Sequence, residues 1–385
     1  MQVACVSTFP PRQCGLATFA EDLVEAIDGL GKFPPVKVVA VSRRGVSYAY
    51  PTRVWREIVQ EDRQSYLAAA QAINRAPIDL VLIQHEYGIY GGSNGSYLLT
   101  LLASLQKPAV ATFHTVLVQP HTHQRSLLQE IASTCSAVVV PAEKGREILV
   151  RQYKISPSKI RVIHHGVPPA LNCTRRSLED KYNLHDRTIL CTFGLIHPGK
   201  GLEYAISALP QVVARHPEVL YLILGETHPE VKRHSGEAYR EYLEGLVNEL
   251  DLANHVLFVN RYLPKEELLE YLTLADLYVT PYLSEEQICS GTLAYAVSMG
   301  KAVISTPYFY AREILADGRG CLVPFKDSQQ LADTINFLLE HPQDRERMQA
   351  SAWEFGRQML WPEVGRGYTG LFREALEAFP QPLAT

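Results

Sequence analysis

The sequence predicts an α/β protein with two Rossmann-like domains, each built on a parallel sheet. Three observations carry that prediction. Short runs rich in Val, Ile and Leu alternate with helix-length amphipathic stretches, as in βαβ units whose strands are buried on both faces. The runs come as a set of six, then a polar, proline-bearing stretch over 166–187, then six more. At 385 residues the chain is also too long for one ordinary core.

Taken in order, the first half offers VACVST (3–8), VKVVAVS (36–42), DLVLIQ (79–84), AVATFH (109–114), AVVVP (137–141) and IRVIHHG (160–166). The second offers TILCTFG (188–194), VLYLILG (219–225), HVLFVN (255–260), LYVTP (277–281), AVIST (302–306) and CLVP (321–324). Beyond Asp327 the pattern is only helical, with helices expected over 327–340, 342–359 and 362–379. Trp361-Pro362 separates the last two, and proline in a first helical turn lets a new helix begin on a changed course. The boundaries expected are 1–167 for the first domain and 168–361 for the second.

Composition narrows the function classes. With 46% hydrophobic and 20% charged residues the chain reads as folded and soluble, and a net charge of −4 argues against general nucleic-acid binding. No apolar run is long enough to span a bilayer, and the first residues lack the charged start and long apolar stretch of a signal peptide. A cytoplasmic chain is expected, with peripheral membrane contact left open. Seven cysteines without a CxxC pair suit reduced thiols, and neither a zinc site nor a DxD triplet is present in the sequence. No GxGxxG or Walker A loop follows any strand.

In open parallel sheets ligands bind beyond the carboxyl ends of the strands, so those ends are read for chemistry. Gly15 opens a helix after the first strand, and either serves the turn or lets a phosphate or sugar approach the backbone. His85, Glu86 and Tyr87 follow the third strand and His114 the fourth, as structural groups or as polar walls of a site. After Gly194, the turn Pro198-Gly199 presents Lys200 at a helix start, where its charge opposes the helix dipole unless an anion is bound. It reads as a phosphate ligand, exposed when no ligand is present. Ser290, Gly291 and Thr292 crowd the start of another helix, either capping it or holding an anion. Glu285 and Glu286 just upstream would repel that anion unless solvated or given another task.

The ordered set resembles the retaining glycosyltransferases with the GT-B fold, the large family 4 that includes sucrose-phosphate synthases and bacterial mannosyl and glucosyl transferases. The family's glycine turn, TxH, VIxxGV, GRLxxxKG and PSxxEGFGxxxLEAMAxGxPVI appear as Gly15, TFH, VIHHGV, GLIHPGKG and PYLSEEQICSGTLAYAVSMGKAVIS. EILADGRGCLVP (313–324) echoes its EIVxDGxxGxLVP, and Trp361 its late tryptophan. The resemblance implies two domains facing a cleft, with a C-terminal crossover helix in 362–385 packing back on the first. It implies transfer of a hexose, of glucose or mannose type, from a UDP or GDP sugar to a hydroxyl acceptor with retention, and neither cofactor nor metal. The sugar then separates Glu286, which binds its hydroxyls, from the diphosphate held by Lys200 and the helix start. Glu286 is preferred to Glu285 as the nearer to the turn.

The same likeness makes His114 a donor-sugar contact and Asn260, Arg261 and Tyr262 a wall for the base. Acceptor binding falls to His85, Glu86 and Tyr87. Two departures stand out. Leu195 occupies the position of the family's arginine, and Ala294 or Tyr295 that of its ribose-binding glutamate. The polar stretch 224–240 offers Glu226, Thr227 or Arg233 as replacements. The other readings are a GT-B binding protein with reduced catalysis and a nucleotide-sugar epimerase.

Overall fold

The computed structural model describes residues 1–379, which form two units: 1–166 together with the segment from Gln358 onward, and 167–357. In chain order the first unit contains β1 (Val3–Ser7), α1 (Gly15–Gly29), β2 (Lys37–Ser42), β3 (Val54–Val59), α2 (Arg63–Arg75), β4 (Leu80–His85), α3 (Leu98–Ser104), β5 (Ala109–Phe113), α4 (Thr122–Thr134), β6 (Ala137–Val140), α5 (Glu143–Tyr153) and β7 (Ile160–Val162). Its sheet runs β3-β2-β1-β4-β5-β6-β7 with every pair parallel. The strand order switches direction at β1, between β2 and β4, where open α/β sheets place their ligands.

The seventh strand, β3, was not expected from the sequence. It lies at the sheet edge, and only Ile58 of VWREIV is buried, so no continuous apolar run marks it. The expected run 160–166 pairs only over Ile160–Val162, and His164 to Gly166 leave the sheet.

The second unit contains α6 (Arg175–Tyr182), β8 (Thr188–Phe193), α7 (Leu202–Val213), β9 (Val219–Leu224), α8 (Pro229–Ser235), α9 (Ala238–Glu249), β10 (Val256–Val259), α10 (Lys265–Leu274), β11 (Leu277–Thr280), α11 (Gly291–Ser298), β12 (Ala302–Ser305), α12 (Phe309–Ile314), β13 (Cys321–Leu322), α13 (Ser328–Glu340) and α14 (Pro342–Gly356). Its parallel sheet runs β10-β9-β8-β11-β12-β13, switching at β8.

Two polar stretches fold more than their composition suggests. The expected linker carries α6, whose Arg175 holds Asp276 through two bonds of 2.7 and 3.0 Å, while the same carboxylate accepts the Ile189 N–H at 2.8 Å. The stretch 224–240 likewise forms α8 and the start of α9. The two units also share a device: Lys159 donates to the carbonyls of Ala132, Ser133 and Cys135 at the end of α4, and Lys301 to those of Thr273 and Ala275 at the end of α10.

The chain ends with α15 (Trp361–Glu377), which packs in the first unit against α1 and one sheet face. Residues 380–385 of the expected returning segment lie outside the described residues. Val364, Tyr368, Leu371 and Phe372 fill the core with Leu23, Ile27, Leu82 and Val110, and the Tyr368 hydroxyl meets Thr112 Oγ1 at 2.9 Å. Among the described residues no helix is long and apolar enough to cross a membrane. Because Phe372 is fully buried, Phe372→Ala should destabilise the chain by about 3–5 kcal/mol. A urea midpoint unchanged from wild type would show that α15 is not part of this core.

Candidate active site

In the second unit, β8 and β9 are each followed by a glycine of positive φ, Gly194 at 121° and Gly225 at 132°. A Cβ on Gly225 would lie 2.2 Å from the Gly194 carbonyl oxygen, and one on Gly194 would lie 2.7 Å from Lys200 Nζ. Only glycine permits these approaches. The chain then turns through His197, whose Nδ1 accepts the Gly199 N–H at 3.1 Å and whose imidazole is pushed down to about 4, first by burial and then by Lys200.

That turn delivers Lys200 into the protein and not to its surface. Its side chain is buried, 7% exposed, contrary to the exposed lysine expected. Nζ donates to Tyr282 Oη at 2.6 Å and to the Phe193 carbonyl at 3.3 Å, and sits 4.5 Å from the Tyr282 ring centroid. The reason is space: a strand-end glycine and an aromatic face leave a slot that the lysine stem fills. Among the described residues no carboxylate forms an ion pair with it.

Ser290, Gly291 and Thr292 adjoin this ammonium. Ser290 Oγ caps α11 by accepting the Leu293 N–H at 3.3 Å, and Thr292 Oγ1 lies 2.7 Å from Tyr282 Oη and 3.1 Å from Ser290 Oγ. Capping and closeness to the cation therefore coexist. Upstream, Glu285 is held by Arg312 at 2.7 Å. Glu286 is exposed, and its carboxylate has no partner among the described residues. Asn260, Arg261 and Tyr262 follow β10, two strands from β8, and all are exposed. Arg261 already forks onto Glu267, with one bond of 2.8 Å. At the positions of the departures, Ala294 is fully buried and Tyr295 packs edge-on against Phe193 at 5.9 Å. Of the replacements, Thr227 is buried and bonded to Arg240 (2.7 Å) and Glu237, while Arg233 pairs with Glu230.

In the first unit the strand ends bring other expected residues together. Gly15 starts α1 with nothing within 4 Å of an added Cβ, so the approach to its backbone is open. One turn later Phe19 packs edge-on against His114 at 4.7 Å. His114 Nε2 lies 2.8 Å from Gln84 Oε1, and its backbone N–H donates to the His85 carbonyl at 3.1 Å. Burial pushes the His114 imidazole down to about 3, with His165 and His85 adding to the shift, so it is neutral at pH 7. Glu86 accepts from Thr115 Oγ1 at 2.6 Å and from the Tyr87 N–H at 2.9 Å, and burial raises its pKa against those bonds. Tyr87 is half-buried beside it.

His85 does not fit the acceptor role expected of it. It points to the opposite sheet face, 0% exposed, among Tyr87, Tyr90 and Phe113 at 5.2 to 6.2 Å. Neither ring nitrogen has a partner, and burial alone pushes it down to about 3. Side chains alternate faces along a strand, so Gln84 and not His85 shares the face of His114. Gln84 and Tyr282 are the residues that the sequence reading missed. Each stands at or just after a strand's carboxyl end, the position that should have drawn notice.

Comparison with known proteins finds matches for both units. Residues 15–171 match the family described as Glycosyltransferase Family 4, and residues 174–355 that described as Glycosyl transferases group 1. The phosphatidyl-myo-inositol mannosyltransferase of Mycolicibacterium smegmatis is 29% identical over 266 residues, 68% of this chain but 64% of that relative, less than two thirds of its length. The D-inositol 3-phosphate glycosyltransferase of Corynebacterium efficiens is 24% identical over 352 residues, 83% of this chain and 78% of that one. Among solved structures, Anabaena HepE in complex with UDP superposes with a TM-score of 0.76 at 16% identity, covering 97% of this chain and 100% of that one.

The depressed histidines set an acid dependence. Unfolded, each takes up a proton near its ordinary 6.5; folded, His85 and His114 do so only near 3 and His165 near 4. Stability is therefore full above pH 6.5 and falls as pH drops toward 4, by about 1.4 kcal/mol per pH unit for each histidine. His85→Phe should make that slope shallower by one proton in urea titrations at pH 7 and pH 5. The same slope in both proteins would mean that His85 is protonated in the folded chain.

Proposed function

This chain belongs with the family 4-like glycosyltransferases of the GT-B fold, and from that premise we propose that it transfers a hexose of glucose or mannose type from a UDP or GDP sugar to a hydroxyl acceptor, with retention. The observation that carries the reading is the Lys200 ammonium, buried at the start of α11 and without a carboxylate partner among the described residues. A cation withdrawn from water beside the positive end of a helix calls for an anion, and a diphosphate supplies one. The mannosyltransferase name of one relative and the UDP bound to HepE agree with a nucleotide-sugar donor.

In this reading the donor diphosphate lies against Lys200 and the amides of α11, and Glu286, free where Glu285 is engaged, accepts hydrogen bonds from the sugar hydroxyls. The bond from the anomeric carbon to the phosphate oxygen breaks as the acceptor oxygen bonds to that carbon on the same face, and the acceptor proton passes to the leaving phosphate. The chain supplies orientation and charge stabilisation, with Lys200 in place of a metal ion. His114, neutral, offers the sugar a hydrogen bond without contributing charge.

Lys200→Met tests the central residue. Removing an unpaired buried charge should leave the ligand-free protein at least as stable as wild type while abolishing the rise in melting temperature that UDP or GDP sugars produce. An undiminished rise would remove Lys200 from the site. Glu286→Gln should slow turnover without trapping a glycosyl-enzyme, and proton NMR of the first product from an α-linked donor should show an α linkage. A β product would overturn retention.

A further inference from the structure

Tyr282 directly follows Pro281 at the end of β11, where the family motif carries serine, and nothing above gives it a task. We infer that Tyr282 is a positioning residue for the diphosphate, holding the Lys200 ammonium and the Thr292 hydroxyl as one hydrogen-bonded unit; the inference rests on the nucleotide-sugar reading above.

Its place is fixed from several sides. The side chain is 4% exposed, and its ring stacks on Tyr308 with centroids 5.5 Å apart and planes 16° from parallel. The Tyr282 carbonyl accepts Thr306 Oγ1 at 2.5 Å, and the next residue, Leu283, donates its N–H to the Gly199 carbonyl at 2.9 Å. The strand-end segment 281–283 is thus stitched to the turn that carries Lys200.

The direction of the hydrogen bonds follows from chemistry. An ammonium only donates, so Tyr282 Oη accepts from Lys200 Nζ at 2.6 Å; in the proposed unit its own proton goes to Thr292 Oγ1, 2.7 Å away. In that arrangement Thr292 Oγ1 is an acceptor toward Tyr282, and its proton turns toward Ser290 Oγ, 3.1 Å away, toward the neighbouring Tyr278 hydroxyl, or toward an anion over the start of α11. A chain of donors headed by a cation is polarised along its length. The seat thus gains a directed hydroxyl beside the helix amides, in a chain where Leu195 offers no second cation. The ring face, 4.5 Å from Nζ, keeps the ammonium from swinging away.

Tyr282→Phe deletes the phenol oxygen and keeps the stacked ring. Calorimetry with UDP and UMP, and in parallel GDP and GMP, should show about a tenfold loss of diphosphate affinity with monophosphate affinity unchanged. Thr292→Val should shrink the diphosphate preference in the same way, and the double variant should lose little more than either alone. Losses that multiply to about a hundredfold would show two independent contacts and overturn the unit. Equal weakening of diphosphate and monophosphate would make Tyr282 merely structural. Unchanged diphosphate preference in both single variants would also overturn the inference. If wild type binds neither UDP nor GDP, the nucleotide reading itself fails and takes this inference with it.

Discussion

A buried ammonium that no carboxylate meets among the described residues is the constraint around which the strand ends of the second unit are arranged. Lys200 gives up most of its hydration for one carbonyl, one phenol oxygen and one aromatic face. Those partners are weaker than an ionised carboxylate, and the nearby start of α11 adds positive potential where a structural ion pair would have cancelled it. Gly194 and Gly225 have to be glycine for the slot to exist, and Tyr282 has to be held by the Gly199 turn for it to keep its shape. The second unit therefore maintains an unbalanced charge in a geometry that an oxyanion can complete.

The first unit differs around His114, although it too buries a cation, Arg12, on the Val41 carbonyl and Gln60 Oε1. Its strand ends carry imidazoles and a carboxyl that burial drives toward neutrality: His114, His165 and Glu86. Gln84 and Thr112 stand side by side in the register of β4 and β5, on the face covered by α1 and α15, and bond to His114 and Tyr368. Neutral donors and acceptors suit sugar hydroxyls, which need direction more than charge.

Most of the fold was legible because strands buried on both faces of a parallel sheet must be continuously apolar, and VACVS or VLYLIL can hardly be anything else. The edge strand β3 was hidden for the same reason reversed, since exposed Arg56 and Glu57 break its run. Helix α6 was hidden because its stability comes from partners distant in sequence, such as Asp276 for Arg175, and α8 because it buries no residue and so carries no apolar stripe. At the site, spacing identified Lys200, Ser290 and Thr292 but could not reveal that the lysine is buried, which depends on Tyr282 some 82 residues away. His85 misled because a strand-end histidine looks the same in sequence whichever sheet face it takes.

The departures from the family pattern bear on how a nucleotide would be divided among these groups. Ala294 and Tyr295 present no carboxylate for ribose hydroxyls, and the stretch after β9 has little to lend. Thr227 is enclosed by Arg240 and Glu237, Arg233 is paired, and only Glu226 keeps an unpartnered buried oxygen, Oε1. At the end of β10, Arg261 would have to leave Glu267 to meet a base. Recruiting a paired group costs the bond it already makes, so the net gain from such contacts is small. Among the described residues Lys200 has no ion pair to give up, and an anion beside it recovers part of the cost of its burial. On the proposed reading, the phosphate end therefore contributes most of the donor affinity and the base end comparatively little.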